Sequence, residues 1–301
     1  MLKYITLAIL GLLVGVAAVV AKAPLDAINA ISPTHGYVIS KQLAYGPDPR
    51  HKLDVYAPVG ARKVPVVLFF YGGSWNSGKR SDYAFVGEAL ASRGIVAVLA
   101  DYRLYPQVRY PGFLEDAARS VAWTVHEIGG FGGDPTRLYL MGHSAGAYNA
   151  AMLALDARWL APHGLTPAIL SGWIGLAGPY DFLPVHNPEV RPVFNFPDSP
   201  PESQPINHVS KDAPPTLLIA AETDSLVDPI RNSGGLARRL RAVGVPVKEV
   251  YLERSSHAGL IASMAWPLRR IAPVLNLVDE FVRTDAGRMP VPEEAAQRKW
   301  Q

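Results

Sequence analysis

The 301-residue sequence contains no cysteine. This absence excludes disulfide bonds, thiol nucleophiles and thiolate metal sites together. No pair of histidine or carboxylate side chains has the spacing of a metal site, and the segment "FGGDP" lacks the lysine that accompanies a phosphate-binding loop. We therefore expect no bound metal.

Charge is also scarce, since 18% of the residues are charged and the net charge is only +3. The basic residues are scattered and form no stripe, so the sequence gives no support for a nucleic-acid partner. The hydrophobic fraction of 49% is sufficient for a substantial core. An α/β chain of this length is usually one domain, and we assign that domain to residues 24–284, followed by a polar tail at 285–301.

One long uncharged run is present near the N-terminus, at residues 4–21, with a lysine on each side. Such a run is typical of an export signal or a membrane anchor. The tripeptide "AKA" that follows resembles a signal-peptidase site, whereas Pro24 directly after it disfavours cleavage there. A cleaved signal peptide and a retained anchor over residues 1–23 both stay open, and both predict an exported or membrane-anchored protein.

From residue 37 onward, short β-rich runs alternate with amphipathic stretches, which predicts an α/β fold with an eight-stranded, mostly parallel sheet and helices on both faces. The predicted strands are residues 37–46, 52–58, 64–72, 95–101, 137–142, 172–178, 216–222 and 247–253. The first two should form an antiparallel hairpin. The predicted helices are residues 81–93, 113–128, 145–157, 230–243 and 266–283.

Residues 184–215 contain too many prolines for a long helix or a central strand. A loop of this length inside a compact domain is more often functional than a passive connection. We expect this segment, together with the short residues 24–36, to shape the entrance of a substrate pocket.

The stretch "LYLMGHSAGAYNAAML", residues 138–153, changes abruptly from an apolar strand to an alanine-rich helix. Gly142 and Gly146 remove the side chains that would collide at so tight a corner. The pattern predicts a nucleophile elbow, in which the Ser144 hydroxyl is exposed at the strand end beside the start of the helix. An ordinary strand-to-helix turn is the alternative, because a G-x-S-x-G pentamer also arises by chance in a glycine-rich chain.

A serine nucleophile needs a neutral imidazole to accept its proton and a carboxylate to orient that imidazole. In a parallel sheet such groups follow the carboxyl ends of strands. After the eighth predicted strand, "LERSSHAGLI" supplies His257, and after the seventh, "ETDSLVDP" supplies Asp224 and Asp228. Asp228 lies where a carboxylate commonly caps a helix, so Asp224 is the predicted acid and Asp228 the alternative.

The tetrahedral intermediate of acyl transfer also needs backbone donors for its oxyanion. The segment "FFYGGSWNSG" places a glycine turn after the third predicted strand. The N–H groups of Gly73, Ser74 and Ala145 are the predicted donors. The candidates for the substrate pocket are Trp75, His143, Phe194 and Phe196, although aromatic residues in loops more often simply pack.

From "LDVYAP" to "SSHAGLI", roughly Leu53 to Ile261, the sequence resembles the α/β-hydrolases, in particular the carboxylesterase branch. That branch contains hormone-sensitive-lipase-like proteins, feruloyl-esterase-like (BD-FAE) proteins, kynurenine formamidases and prenylcysteine methylesterases. The resemblance rests on "YGGSWNSG", "DYRLYPQVRYP", "FGGDPTRLYLMGHSAGAYNAAM", "GLAGPYDF", "ETDSLVD" and "SSHAGL", in family order. It implies a triad at Ser144, Asp224 and His257, with no cofactor.

The resemblance also implies the oxyanion site at Gly73, Ser74 and Ala145. Three features depart from the family pattern. Tyr71 occupies the place of the histidine in the family's HGG motif, and Ser74 occupies the place of its third glycine. Near the predicted acid the chain has "AAETD", where family members often carry HG-x-x-D. The hydrogen bond that anchors this loop must therefore differ, and the departures bear on the substrate more than on the chemistry.

The sequence thus predicts a serine hydrolase that cleaves small or medium acyl esters through an acyl-enzyme. An amidase or formamidase would share every motif, because the same chemistry cleaves C–O and C–N bonds. A catalytically silent hydrolase fold that serves as a membrane-tethered binding module is the third possibility, although such a module would be expected to have lost part of the triad.

Overall fold

The computed structural model describes residues 24–284 of the chain. The predicted targeting segment at 1–23 and the predicted polar tail at 285–301 lie outside the described residues. Among the helices of residues 24–284, none combines the length and apolar character needed to cross a membrane.

The domain is built on an eight-stranded sheet, as the sequence predicts. Its strands are β1 (Tyr37–Ala44), β2 (Lys52–Pro58), β3 (Val64–Phe70), β4 (Val96–Ala100), β5 (Gly133–His143), β6 (Leu170–Leu176), β7 (Thr216–Ala221) and β8 (Val247–Leu252). The spatial order is β1-β2-β4-β3-β5-β6-β7-β8. The predicted β1–β2 hairpin is antiparallel, and β2 is also antiparallel to β4. All the other neighbouring pairs, β4–β3, β3–β5, β5–β6, β6–β7 and β7–β8, are parallel.

Helices cover both faces of this sheet, with α2 against α7 and α3 against α4. The helices are α1 (Pro24–Ile31), α2 (Ala84–Ala91), α3 (Gly112–Glu127), α4 (Ala145–Leu155), α5 (Gly235–Ala242), α6 (His257–Ala262) and α7 (Val274–Arg283). The helix predicted over 266–283 is shorter than expected, because Pro273 precedes α7 and residues 266–268 form a separate 3-10 turn. The predicted helix at 230–243 opens with a π-helical turn over 230–234.

The central strands form the core. In β4 and β7 every residue is buried, and in β3 only the first residue is partly exposed. These strands read as continuous runs of apolar residues because helices cover both faces of the sheet. Their burial gives a rigid frame whose carboxyl ends meet at one edge.

The turn from β5 to α4 is as tight as the sequence predicts. A Cβ atom on Gly146 would lie 2.0 Å from the carbonyl oxygen of Phe70, and one on Gly142 would lie 2.1 Å from the carbonyl oxygen of Gly146. Such distances are far inside van der Waals contact, so only glycine fits at both places. The start of α4 therefore rests directly on the end of β3, and Ser144 lies between β5 and α4.

Candidate active site

Ser144 sits at this corner with a backbone conformation that is rare for a residue with a side chain, φ +55° and ψ −122°. Its N–H donates to the carbonyl oxygen of Leu176 at 2.8 Å, and its carbonyl oxygen accepts from Ala147 N–H at 2.9 Å and Tyr148 N–H at 3.1 Å. These backbone bonds hold Ser144 in its strained conformation. Strained residues of this kind are common at functional sites. The side chain projects where β5 ends and α4 begins.

Asp224 and His257 lie close together beyond the carboxyl ends of β7 and β8. The Asp224 Oδ2 atom lies 2.7 Å from His257 Nδ1. A carboxylate only accepts hydrogen bonds, so Nδ1 carries the hydrogen and Nε2 of the neutral ring is left able to accept a proton. Asp228 does not contact the ring: its Oδ1 accepts from the N–H groups of Ile230 and Arg231, both at 2.9 Å, and so caps the next helical turn.

The environment of Asp224 keeps this carboxyl group ionised. Burial raises its pKa, but hydrogen bonds from His257, Val227 and Leu226 outweigh burial, and the pKa of Asp224 is lowered from its ordinary value. The two backbone donors reach Oδ1, at 2.9 Å from Leu226 N–H and 3.1 Å from Val227 N–H. A fixed negative charge therefore stands behind His257 and can stabilise an imidazolium ion.

The loop after β3 passes directly beside Ser144. Its residues Gly73, Ser74 and Trp75 all have positive φ, at +122°, +51° and +58°. A Cβ atom on Gly72 would lie 3.0 Å from the Cβ atom of Ser144. Three successive residues in this region of φ turn the loop sharply next to the serine hydroxyl.

The glycine at position 73 is required by its own surroundings, because a Cβ atom there would lie 2.4 Å from the carbonyl oxygen of Ser77. The Gly73 carbonyl oxygen is used inside the loop, where it accepts from the N–H groups of Asn76 and Ser77, both at 3.0 Å. Within residues 24–284, no hydrogen-bond acceptor is recorded for the N–H groups of Gly73, Ser74 or Ala145. These three donors remain available for a substrate oxygen.

A cavity of about 480 Å³ lies over these groups, and Ser74, Ser144, Ala145 and His257 all line it. Its apolar lining consists mainly of Trp75, Phe182, Val185, Val190, Leu226 and Val227. Polar and charged side chains also reach it, including Asp181, His186, Glu189, Asp228, Arg231 and Asn232. Ser144, His257 and two of the candidate oxyanion donors thus line one space that has room for a small organic molecule.

Of the four side chains predicted for the pocket, only Trp75 lines the cavity. The predictions for the other three are corrected by their packing. His143 is buried beneath His257, with ring centroids 4.9 Å apart. Phe194 is fully buried with its ring centroid 4.8 Å from that of Trp75, and Phe196 is half exposed beneath the guanidinium group of Arg191.

The two segments expected at the pocket entrance differ in their positions. Residues 185–190 of the proline-rich segment contribute to the cavity wall. Residues 24–36 do not, and the prediction for them is corrected, because α1 is tied to another part of the surface. There the Asn29 side chain donates to the carbonyl oxygens of Ser81 and Asp82 and accepts from Phe85 N–H.

Comparison with known proteins shows what the chain is similar to. Residues 53–165 match the BD-FAE family model. An isoprenylcysteine alpha-carbonyl methylesterase from Arabidopsis thaliana is 32% identical, over 75% of this chain and 59% of the relative, and a probable one from Oryza sativa is 29% identical, over 87% and 70%. Esterase LipC from Mycobacterium tuberculosis is 30% identical, over 69% of this chain and 56% of its own length.

The fold has solved counterparts. Esterase B from Lactobacillus rhamnosis, in a structure with a tributyrin phosphonate, superposes with a TM-score of 0.73 at 22% identity, covering 92% of this chain and 95% of that one. The chain has the α/β-hydrolase fold, and its sequence is similar to those of carboxylesterases. The chain spans little more than half the length of the Arabidopsis and mycobacterial relatives.

Tyr71, at the position where the family pattern in the sequence analysis has histidine, anchors the loop after β3. The Tyr71 hydroxyl accepts from Arg50 Nη2 at 2.7 Å, and its carbonyl oxygen accepts from the Tyr102 hydroxyl at 2.8 Å. The rings of Tyr71 and Tyr102 also stack, with centroids 4.7 Å apart. A buried aromatic pair and an arginine therefore fix the start of the loop, where the sequence predicted only that the anchor must differ.

Two side-chain amides that the sequence did not single out hold the loop after β6 in place. Asn232 Oδ1 accepts from the N–H groups of Tyr180 at 2.6 Å and Asp181 at 2.9 Å. Gln204 Oε1 accepts from Phe182 N–H at 2.7 Å. Both contacts join residues that are far apart in the sequence, and no local pattern predicts them.

His143 supports the loop that carries His257. Its Nε2 atom lies 2.9 Å from the carbonyl oxygen of His257, which can only accept, so Nε2 carries the hydrogen. Burial, and then the neighbouring His257, lower the pKa of His143 to about 3. This ring therefore stays neutral and adds no second positive charge beside His257.

We expect the buried His143 to make the fold less stable in mild acid. Below its ordinary pKa of about 6.5 the unfolded chain binds a proton that the folded protein cannot accept until about pH 3, so stability falls as pH decreases. This group alone accounts for a loss of about 2 kcal/mol between pH 7 and pH 5. Urea unfolding of wild type and His143→Gln at both pH values measures it. Glutamine does not titrate, and an equal loss in both proteins would contradict the prediction.

Proposed function

We propose that this protein is a carboxylesterase that hydrolyses small or medium acyl esters with Ser144 as nucleophile, His257 as base and acid, and Asp224 as the group that orients His257. One observation carries the proposal: His257, which is hydrogen-bonded to Asp224 at 2.7 Å, lines the same cavity as Ser144. The small-molecule ester is the expected partner, and we include export or membrane anchoring through residues 4–21 in the proposal.

In the first half of the reaction, the Ser144 hydroxyl attacks the ester carbonyl carbon while His257 Nε2 takes the hydroxyl proton. The carbonyl oxygen becomes negative and accepts hydrogen bonds from the N–H groups of Gly73, Ser74 and Ala145. Collapse of this intermediate breaks the bond to the alkoxy oxygen, which receives the proton from His257. The alcohol leaves, and the acyl group stays on Ser144.

The second half repeats these steps with water. His257 Nε2 takes a proton from water as the water oxygen attacks the acyl carbon, and the same backbone donors bind the oxyanion. The bond to Ser144 Oγ then breaks, and Oγ regains its proton from His257. The carboxylic acid leaves, and the ionised Asp224 stabilises the imidazolium ion in both halves.

The names of the relatives support an ester as the bond that is cleaved. The plant relatives are named as methylesterases of isoprenylcysteine, and the mycobacterial relative is named as an esterase. The apolar lining of the cavity suits a hydrocarbon acyl or alkyl group, because burying such a group on binding is favourable. We propose that this chain shares the ester specificity given in the names of these relatives.

An amidase or formamidase uses the same residues, so the bond that is cleaved must be tested directly. We expect purified protein to hydrolyse p-nitrophenyl butyrate readily and to leave N-formylkynurenine near the uncatalysed rate, with kcat/KM measured for both. Faster cleavage of the formamide would contradict the ester assignment and favour a formamidase. If the folded protein cleaves neither compound and resists a fluorophosphonate probe, the silent binding module is favoured.

A further inference from the structure

Trp75 forms a fixed wall of the cavity beside Ser144. Trp75 lines the cavity although only 3% of the residue is exposed. The indole packs into a cluster of rings, with centroids 4.8 Å from Phe194, 5.1 Å from Tyr148, 5.8 Å from Phe113 and 6.2 Å from Phe182. One face of the cavity is therefore the edge of an aromatic cluster.

A buried hydrogen bond fixes the orientation of this indole. Trp75 Nε1 donates to Asn149 Oδ1 at 3.0 Å. Asn149 is fully buried in α4, and in the described part of the chain its Nδ2 group has no hydrogen-bond partner. A buried amide with half of its hydrogen bonds unmade costs stability. Asn149 accepts the indole hydrogen bond and so holds Trp75 in one rotamer, which an apolar residue at this position could not do.

The order of the strands places Trp75 and His257 on opposite sides of Ser144. Trp75 follows β3 and His257 follows β8, whereas β5, which carries Ser144, lies between them. The alkoxy oxygen of the substrate must face His257 Nε2 to receive its proton. The alcohol part of the ester therefore lies toward β7 and β8. The acyl chain then lies on the other side of Ser144, toward Trp75.

We propose that Trp75 is the end wall of the acyl site and limits the length of acyl chain that the enzyme accepts. This inference rests on the proposed esterase function. The residues behind the indole are Phe113, Tyr148 and Phe194, all fully buried. Removing the indole opens a space lined mainly by these rings, with the Asn149 side chain at one side, and burying hydrocarbon against the rings is favourable.

The test measures kcat/KM along two series of esters with wild type, Trp75→Ala and Trp75→Leu. The acyl series is p-nitrophenyl acetate to decanoate, and the alcohol series is methyl to octyl acetate. We expect wild type to prefer short chains and Trp75→Ala to prefer longer ones, with each added methylene that enters the new space raising its kcat/KM about fourfold. Trp75→Leu should show a smaller shift, and the alcohol series should keep its order in all three proteins.

The exposed Trp266 supplies a matched control, since it lies outside the cavity lining. Trp266→Ala should leave both profiles as in wild type. A uniform drop across all acyl lengths in both Trp75 variants would overturn the inference, because it would mean that Trp75 only supports the neighbouring loop. A changed order in the alcohol series would also overturn it.

Failure of this inference is distinguishable from failure of the proposed function. Wild-type protein that cleaves the esters while the acyl profiles of the Trp75 variants stay unchanged rejects the role of Trp75 alone. Wild-type protein that cleaves none of them rejects the esterase. If Trp75→Ala does not fold, Trp75→Leu decides, because leucine keeps much of the apolar volume; thermal melting of each variant identifies this case.

Discussion

Replacing Ser144 with alanine should lower kcat for p-nitrophenyl butyrate by about five powers of ten. The substitution removes the atom that forms the acyl-enzyme, and the residual rate comes from the backbone donors and the cavity alone. The fold should survive, because the bonds to Leu176 and Tyr148 that hold this corner use backbone atoms, which alanine keeps. End-point assays with long incubation at high enzyme concentration measure the residual rate.

Ser171→Ala is the matched control for this substitution. Ser171 lies in β6 near its amino end, and its hydroxyl donates to the carbonyl oxygen of Thr136, at the opposite edge of the sheet from the cavity. Its kcat should equal that of wild type. A Ser144→Ala protein that retains more than about one hundredth of wild-type kcat would contradict the role of Ser144 as nucleophile.

Replacing Asp224 with asparagine should lower kcat by about four powers of ten. The side chain keeps its shape but loses the negative charge that stabilises the His257 imidazolium ion. An amide can also donate to Nδ1 and so favour the tautomer that carries its hydrogen on Nε2, which cannot accept the proton of Ser144. Steady-state rates at pH 8, with thermal melting to confirm folding, measure the effect.

Asp228→Asn separates the two carboxylates that the sequence left in competition. Asparagine caps a helical turn about as well as aspartate does, so the bonds from Ile230 and Arg231 can be kept. We expect kcat to change by no more than a few-fold. A larger loss in Asp228→Asn than in Asp224→Asn would reverse the assignment of the acid.

The sheet and the elbow were predictable because their signals are local. Strands that are buried on both faces must be apolar throughout, and the run predicted at 64–72 corresponds to β3 at Val64–Phe70. The elbow is recognisable because its glycines avoid backbone contacts near 2 Å that no side chain could tolerate. Since parallel strands end at one edge, the sequence positions of Asp224 and His257 already indicated that they could meet.

The cavity wall could not be predicted, because it depends on long-range contacts. Phe194 and Phe182 both lie in loops and look alike in the sequence, yet Phe182 lines the cavity and Phe194 is buried behind Trp75. The backbone around Phe182 is held by Asn232 and Gln204, which lie far along the chain from the residues they bind. Helix α6 escaped prediction for a different reason: its six residues are too few to show a helical period.

The most direct test of Ser144, His257 and Asp224 as one catalytic unit is to map a fluorophosphonate adduct by mass spectrometry. Wild-type protein should gain one adduct on the peptide that contains Ser144, and excess p-nitrophenyl butyrate should slow its formation. Folded His257→Ala and Asp224→Asn should react far more slowly at the same residue. An adduct on a different residue, or folded wild-type protein that gains none, would contradict the proposed catalytic unit.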